Sequence, residues 1–186
     1  MKLLDHIQKV DEEISARLVL QREDGFAHRL IALIGHSGDS WYWLIGLTLI
    51  WLFTGGSIRT TAILLALALA ILAVFVLGIK FLLRRPRPEG KWGSIYRVTD
   101  PHSFPSGHAA RAMAIAFLAL QFQNPLWFIG LFAWAILVGY SRVALRLHYF
   151  SDIFVGWLIG ALSGSLAVKF LPSFIQKLPD VFPFLI

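Results

Sequence analysis

The sequence contains no cysteine. That absence excludes disulfides, thiolate nucleophiles and cysteine-ligated zinc or iron–sulfur sites. It leaves the redox compartment open, because a cysteine-free chain suits either side of a membrane. Charge is scarce too: Asp, Glu, Lys and Arg make up 15% of the 186 residues, too little for a solvated surface around a chain this apolar. There is no internal repeat and no low-complexity segment, so repeat architectures are excluded. No basic run is interleaved with aromatics as in single-strand nucleic-acid binders. The formal charge of +6 can instead serve anionic groups at a membrane surface, and no nucleic-acid partner is expected. The first twenty residues are too heavily charged for a cleavable signal peptide.

What the chain has in abundance is apolar residue: 57% hydrophobic, with a mean hydropathy of +0.68. Several runs approach the ~20 residues that span a bilayer. The expected fold is all-α, a multi-pass transmembrane bundle of five clear spans, with a sixth as the alternative, preceded by an amphipathic helix on the membrane surface. The whole chain, 1–186, reads as one domain: an interfacial segment over 1–36, a transmembrane core over 41–170 and a tail over 171–186. Leu4, Ile7, Val10, Ile14 and Leu18 form one helical stripe, with Asp5, Lys9, Asp11, Glu12, Glu13 and Arg17 around it. The alternative is a helix packed on the domain itself or on a partner. The stretch 21–40 reads as a second surface or shallowly inserted helix. Spans follow at about 41–53, 60–83, 106–122, 126–143 and 149–170, and Trp41, Tyr42 and Trp43 suit an interfacial belt. The tail contains three prolines and is too broken for a further span.

Ionisable residues at or within spans are costly and usually functional. Here they form four clusters. Lys80, Arg84, Arg85 and Arg87 end the second span, and His108 and Arg111 begin the third. Arg142 and Arg146 end the fourth, and His148 and Asp152 begin the fifth. Counting crossings puts all four clusters on one side of the membrane, where one polar site can be shared. Each cluster suits a phosphate. Lys80 offers a point charge, and Arg87 and Arg142 offer planar forks of donors. Pro86 and Pro88 end the helix so that Arg87 can turn back. Ser106 is a natural N-cap, which frees the first N–H groups of the third span, at Gly107 and beyond, to hold an anion. His148 and Asp152, four apart, share a helical face, so the carboxylate can orient the imidazole. Gly156, Gly160 and Gly164 continue that stripe and suit close helix packing, internally or in a dimer.

Lys80 to Arg87-Pro88, then Pro105-Ser106-Gly107-His108, then Ser141-Arg142 with His148 and Asp152 resemble, in order and spacing, the three signatures of the type-2 phosphatidic acid phosphatases. The resemblance implies a membrane lipid phosphatase. His148 would be the nucleophile that forms a phosphohistidine, Asp152 its support, and His108 the acid for the leaving alkoxide and then the base for water. Lys80, Arg87, Arg142 and the backbone of Ser106 and Gly107 would hold the phosphoryl oxygens. It implies no metal and no other cofactor. Two departures stand out: five clear spans where six are common, and Arg111 one turn after His108. Arg111 would meet a second phosphate or a polar headgroup, or else serve as a structural partner.

Other residues near the site carry lesser expectations. Arg84, Arg85, Lys91 and Arg97 read as headgroup anchors, and Asp100 and His102 as loop hydrogen-bonding groups. His36 and Asp39 fall near the site mouth. Ser103 and Ser141 are local hydrogen-bonders, and Trp92, Ile95 and Tyr96 could cover a headgroup. The substrate class is a polyprenyl phosphate or diphosphate, phosphatidic acid or phosphatidylglycerophosphate. The alternatives are a phosphotransferase using the same covalent intermediate, or a non-catalytic lipid or anion binder or transporter on this scaffold. The soluble haloperoxidases share the scaffold, but bilayer spans argue against their chemistry. Of the 17 Lys and Arg residues, Arg59, Lys169 and Lys177 alone fall on the side opposite the site. The charge rule then places the site in the cytoplasm, with the outer face as the alternative. Oligomeric state is not legible.

Overall fold

A computed structural model describes residues 2–22, 24–90, 98, 100–122 and 124–181. Among them the elements are helices, joined by one isolated antiparallel bridge between Pro86 and His102. We number the helices α1 (Lys2–Leu18), α2 (Phe26–Ser37), α3 (Ser40–Phe53), α4 (Gly56–Leu83), α5 (Gly107–Leu118), α6 (Pro125–Ala144) and α7 (Phe150–Val181), with a 3-10 turn at Ala119–Phe122. Helices are what apolar runs must form in hydrocarbon, where each backbone group needs an internal partner. Three are long and apolar enough to cross a membrane: α4, α6 and the 21 residues Phe150–Phe170 of α7. α3 is apolar throughout but has only 14 residues, about 21 Å at 1.5 Å per residue.

The helix of smallest side chains sits at the centre. Along α5, Ala109, Ala110, Ala112, Met113, Ala114, Ile115, Ala116 and Leu118 are all buried, enclosed by α4, α6 and α7. Large apolar side chains on the surrounding helices point outward, among them Ile71, Val74, Leu126, Trp127, Leu158 and Leu162. That inside-out distribution suits lipid. The glycine stripe of α7 faces α5. A Cβ at Gly156 would come within 2.7 Å of the Ser106 carbonyl, and one at Gly164 within 2.7 Å of the Phe117 Cβ; one at Gly160 would strike the Ala110 carbonyl oxygen. The stripe is therefore spent on internal packing.

The apolar stretch Phe150–Phe170 matches the expected fifth span, and the helix that carries it runs on to Val181, through Pro172 and Pro179. A proline removes one backbone bond, and the remaining bonds of the turn can carry the helix past it. Trp43 does not sit in an outward belt with Trp41 and Tyr42. Its indole donates to the Ser37 carbonyl at 3.2 Å and packs on Trp134, while its two neighbours remain exposed. Trp92, Ile95 and Tyr96, with Lys91 and Arg97, lie outside the described residues.

The amphipathic N-terminal helix is docked by buried polar groups together with Leu18, the last residue of its apolar stripe. Asp11, Ser15 and Leu18 face α6 and α7, and the first two are buried. Ile7, Val10 and Ile14 of the apolar stripe are left exposed.

Candidate active site

The site is assembled at helix ends. α4 stops at Arg84, which adopts a left-handed conformation with its N–H bonded to the Lys80 carbonyl at 2.8 Å. The chain then runs beside the segment preceding α5. The Ser103 N–H donates to the Arg85 carbonyl at 2.8 Å, and its hydroxyl to the Pro86 carbonyl at 3.0 Å. This pairing carries Arg87 toward the start of α5. After α6, the N–H groups of Leu147 and His148 both reach the Arg142 carbonyl, at 2.9 and 3.2 Å. Arg142 thus fixes the backbone of His148 while its side chain lines the same cavity.

That cavity, about 270 Å³, is lined by Lys80, Arg87, Asp100, Gly107, His108, Arg111, Arg142 and His148 with an apolar wall from α4. Seven of the nine residues expected at the site line it. The other two stand just behind. Asp152 is fully buried beneath His148, with its Oδ2 3.5 Å from Nδ1. This is longer than a good hydrogen bond. Ser106 is fully buried and caps α5, its hydroxyl accepting from Ala109 N at 3.5 Å. Its own N–H donates to the Asp152 carbonyl at 3.0 Å, which ties the start of α5 to the start of α7.

The other ring nitrogen of His148, Nε2, lies 3.1 Å from Nη1 of Arg87 and faces the cavity. Burial, then the charges of Arg87, Lys80 and Arg142, hold the His148 imidazole well below its ordinary pKa of 6.5. The shift favours the neutral imidazole, the form that can act as a nucleophile.

Four residues do more than their sequence context suggests. Asp100 bridges the cations: its carboxylate accepts from Lys80 at 2.6 Å and from Arg87 at 2.9 Å. Asp39, at the α2–α3 junction, accepts from His108 Nε2 at 2.6 Å and contacts His36 Nδ1 at 2.9 Å. Arg85 is no headgroup anchor. Its guanidinium is shared between Asp152 and Asp11, both at 2.7 Å. Asp11, read as part of a solvated helix face, is buried. The sequence signalled only that Asp39 falls near the site mouth and that Asp100 hydrogen-bonds in the loop before α5. Arg111 folds back over the start of α5, where a Cβ on Gly107 would lie 3.2 Å from its Nη1. It also lines a second cavity of about 240 Å³, mostly apolar, between α3, α4 and α5.

A family model described as the PAP2 superfamily matches residues 59–175. Undecaprenyl-diphosphatase of Sulfolobus acidocaldarius is 29% identical over 148 residues, covering 75% of this chain and 68% of that protein. Phospholipid phosphatase 2 of Bos taurus is 38% identical over 100 residues, covering 47% of this chain and 35% of that protein. The chain thus spans about a third of the length of that mammalian relative. The crystal structure of a transmembrane PAP2-type phosphatidylglycerolphosphate phosphatase from Bacillus subtilis superposes with a TM-score of 0.75 at 25% identity, covering 90% of this chain and 87% of that one. Aquifex aeolicus LpxE superposes with a TM-score of 0.70 at 25% identity, covering 86% and 95%.

Proposed function

Because the chain belongs to the PAP2 superfamily, we propose that it is a membrane-embedded lipid phosphatase working through a phosphohistidine on His148. The observation that carries this reading is one cavity in which a neutral His148 faces Lys80, Arg87 and Arg142, with His108 on the same wall.

In the first step Nε2 of His148 attacks phosphorus. A nitrogen–phosphorus bond forms and the ester oxygen–phosphorus bond breaks. Lys80, Arg87, Arg142 and the Gly107 N–H hold the phosphoryl oxygens as charge shifts among them. His108 gives its proton to the departing alkoxide. Asp152 takes up the positive charge that develops on His148. In the second step His108 accepts a proton from water, whose oxygen attacks phosphorus, and inorganic phosphate leaves with both histidines restored. The cations at the phosphoryl group are side chains, so the reading requires no metal ion. Asp39 belongs to this reading as the carboxylate behind the acid. A protonated imidazole beside Arg111 and Arg142 would need a compensating negative charge, and the Asp39 carboxylate, 2.6 Å from Nε2, is placed to offer one.

The substrate class is a lipid phosphomonoester or diphosphate: a polyprenyl (di)phosphate, phosphatidic acid or phosphatidylglycerophosphate. The relatives named undecaprenyl-diphosphatase and phosphatidylglycerolphosphate phosphatase support this range. The apolar cavity sharing Ala73 and Arg111 with the phosphate cavity would receive the first part of the lipid chain. For topology we propose five crossings, by α3 to α7, with α1 on the membrane surface and the site toward the cytoplasm on the basis of charge bias.

Phosphate release by the purified protein across this lipid panel, with EDTA present, tests the proposal. Release from at least one lipid is expected. Release from none contradicts it.

A further inference from the structure

Residues 1–58 lie outside the stretch matched by the family, yet one of them reaches the support of the nucleophile. We propose that α1 is a working part of the active site and that Asp11 is a positioning residue for the His148–Asp152 pair, acting through Arg85. This rests on the catalytic reading of His148 and Asp152 given above.

The contacts form one continuous chain. Asp11 Oδ2 accepts from Arg85 Nη2 at 2.7 Å and from the Ser151 hydroxyl at 2.5 Å. Asp11 Oδ1 accepts from the Ser151 N–H at 2.9 Å, and the Ser15 hydroxyl from the Phe150 N–H at 2.9 Å. Two residues one turn apart on α1 therefore satisfy the first free N–H groups of α7, which a helix start cannot satisfy by itself. Asp152 completes the set by accepting the Tyr149 N–H at 2.9 Å. The opening turn that carries the catalytic carboxylate is thus capped in trans by the surface helix.

Arg85 makes this capping matter for chemistry. Its Nη1 holds Asp152 Oδ1 at 2.7 Å, leaving Oδ2 toward His148. Burial opposes the charge on Arg85, but Asp152 and Asp11 outweigh it and raise its pKa. One guanidinium is divided between two carboxylates. Without Asp11 the whole positive charge would fall on Asp152, weakening its hold on a cationic His148, and the fork would lose the anchor that fixes its angle. The arrangement lies on the far side of His148 from the phosphoryl group, so its effect should fall on turnover more than on lipid binding.

The experiment measures kcat and KM of the full-length protein in lipid-detergent micelles. Asp11→Asn should lower kcat about tenfold with KM within about twofold, the signature of an interaction that matters in the transition state. Arg85→Gln should lower kcat as well, and the double variant should be no worse than the poorer single, since the two residues act in series. Glu13→Gln, which removes the same charge from an exposed position on the same helix, should leave both constants unchanged. If Asp11→Asn fails to fold, Ser15→Ala removes one bond to the start of α7 and should still lower kcat several-fold. Active wild type with unchanged kcat in the Asp11 or Ser15 variant, or strictly additive losses for Asp11 and Arg85, overturns the inference. An inactive wild type overturns the catalytic reading instead.

Discussion

At neutral pH the buried imidazole of His148 is uncharged because burial and three cations disfavour its protonation. The sign of the linkage follows. A histidine whose folded pKa is lowered costs no stability above the unfolded value of about 6.5. Below that value the unfolded chain gains a proton that the folded one refuses, so stability falls as the pH drops toward the lowered value. Histidine NMR should show His148 still neutral as pH passes down through 6.5, and Arg142→Gln should move its titration upward; protonation at or above 6.5 contradicts the arrangement.

His108 is tested differently. If Asp39 keeps it protonated for an alkoxide, Asp39→Asn should cost ~100-fold on a lipid ester, where acid catalysis is needed. On a nitrophenyl ester, whose leaving group needs no proton, the loss should be threefold or less by the same reasoning. Equal losses on both substrates would leave Asp39 a structural residue, and a faster variant would make it an obstacle in the site. The signature residues were legible because their spacing and the parity of crossings converge on one face. Asp11, Arg85 and Asp39 were not. Their partners lie far along the chain, and on a single helix a buried carboxylate and a solvated one look alike.

Among the elements, α5 and α7 decide the geometry, since they carry His108 and Asp152. The four-residue glycine spacing was readable, but its two uses, internal packing or a dimer, could be separated only by what lies opposite. The backbone of α5 lies there. Gly160→Val should therefore spread the two helices, costing about 1–3 kcal/mol as an overpacked core does and lowering activity. Gly46→Val is the control, because a Cβ there meets nothing within 4 Å. Thermal unfolding in detergent reads both, and equal melting temperatures would contradict the packing. The expected end of the last span near Phe170 agrees with the apolar stretch Phe150–Phe170; the helix continues past it because Pro172 and Pro179 are accommodated within it. The docking face of α1 was missed because hydrophobic periodicity marks an apolar stripe, and the docked face is mostly the polar one.

For the whole molecule, apolar runs and clustered charge were enough to indicate a membrane-embedded helical bundle with one shared polar site, because the bilayer leaves the chain few alternatives; the phosphatase reading came from the resemblance of the three signatures. Span number is less legible, since α3 and α5 are shorter than the ~30 Å hydrocarbon layer and their depth depends on neighbours. The proposed five crossings put the termini on opposite sides. In intact cells an impermeant reagent should label a cysteine added at the C-terminus and spare one added at the N-terminus. The native chain supplies no cysteine to confuse the result. The reverse pattern would move the site to the outer face.

The central claim is that a phosphoryl group passes through His148. Acid-labile, base-stable phosphate on the protein, trapped by rapid alkaline quench during turnover of a phosphate-labelled lipid, tests it most directly. Label should sit on His148, be absent in His148→Ala, and disappear at the rate of phosphate release. Turnover by His148→Ala, or label on any other residue, would contradict the account.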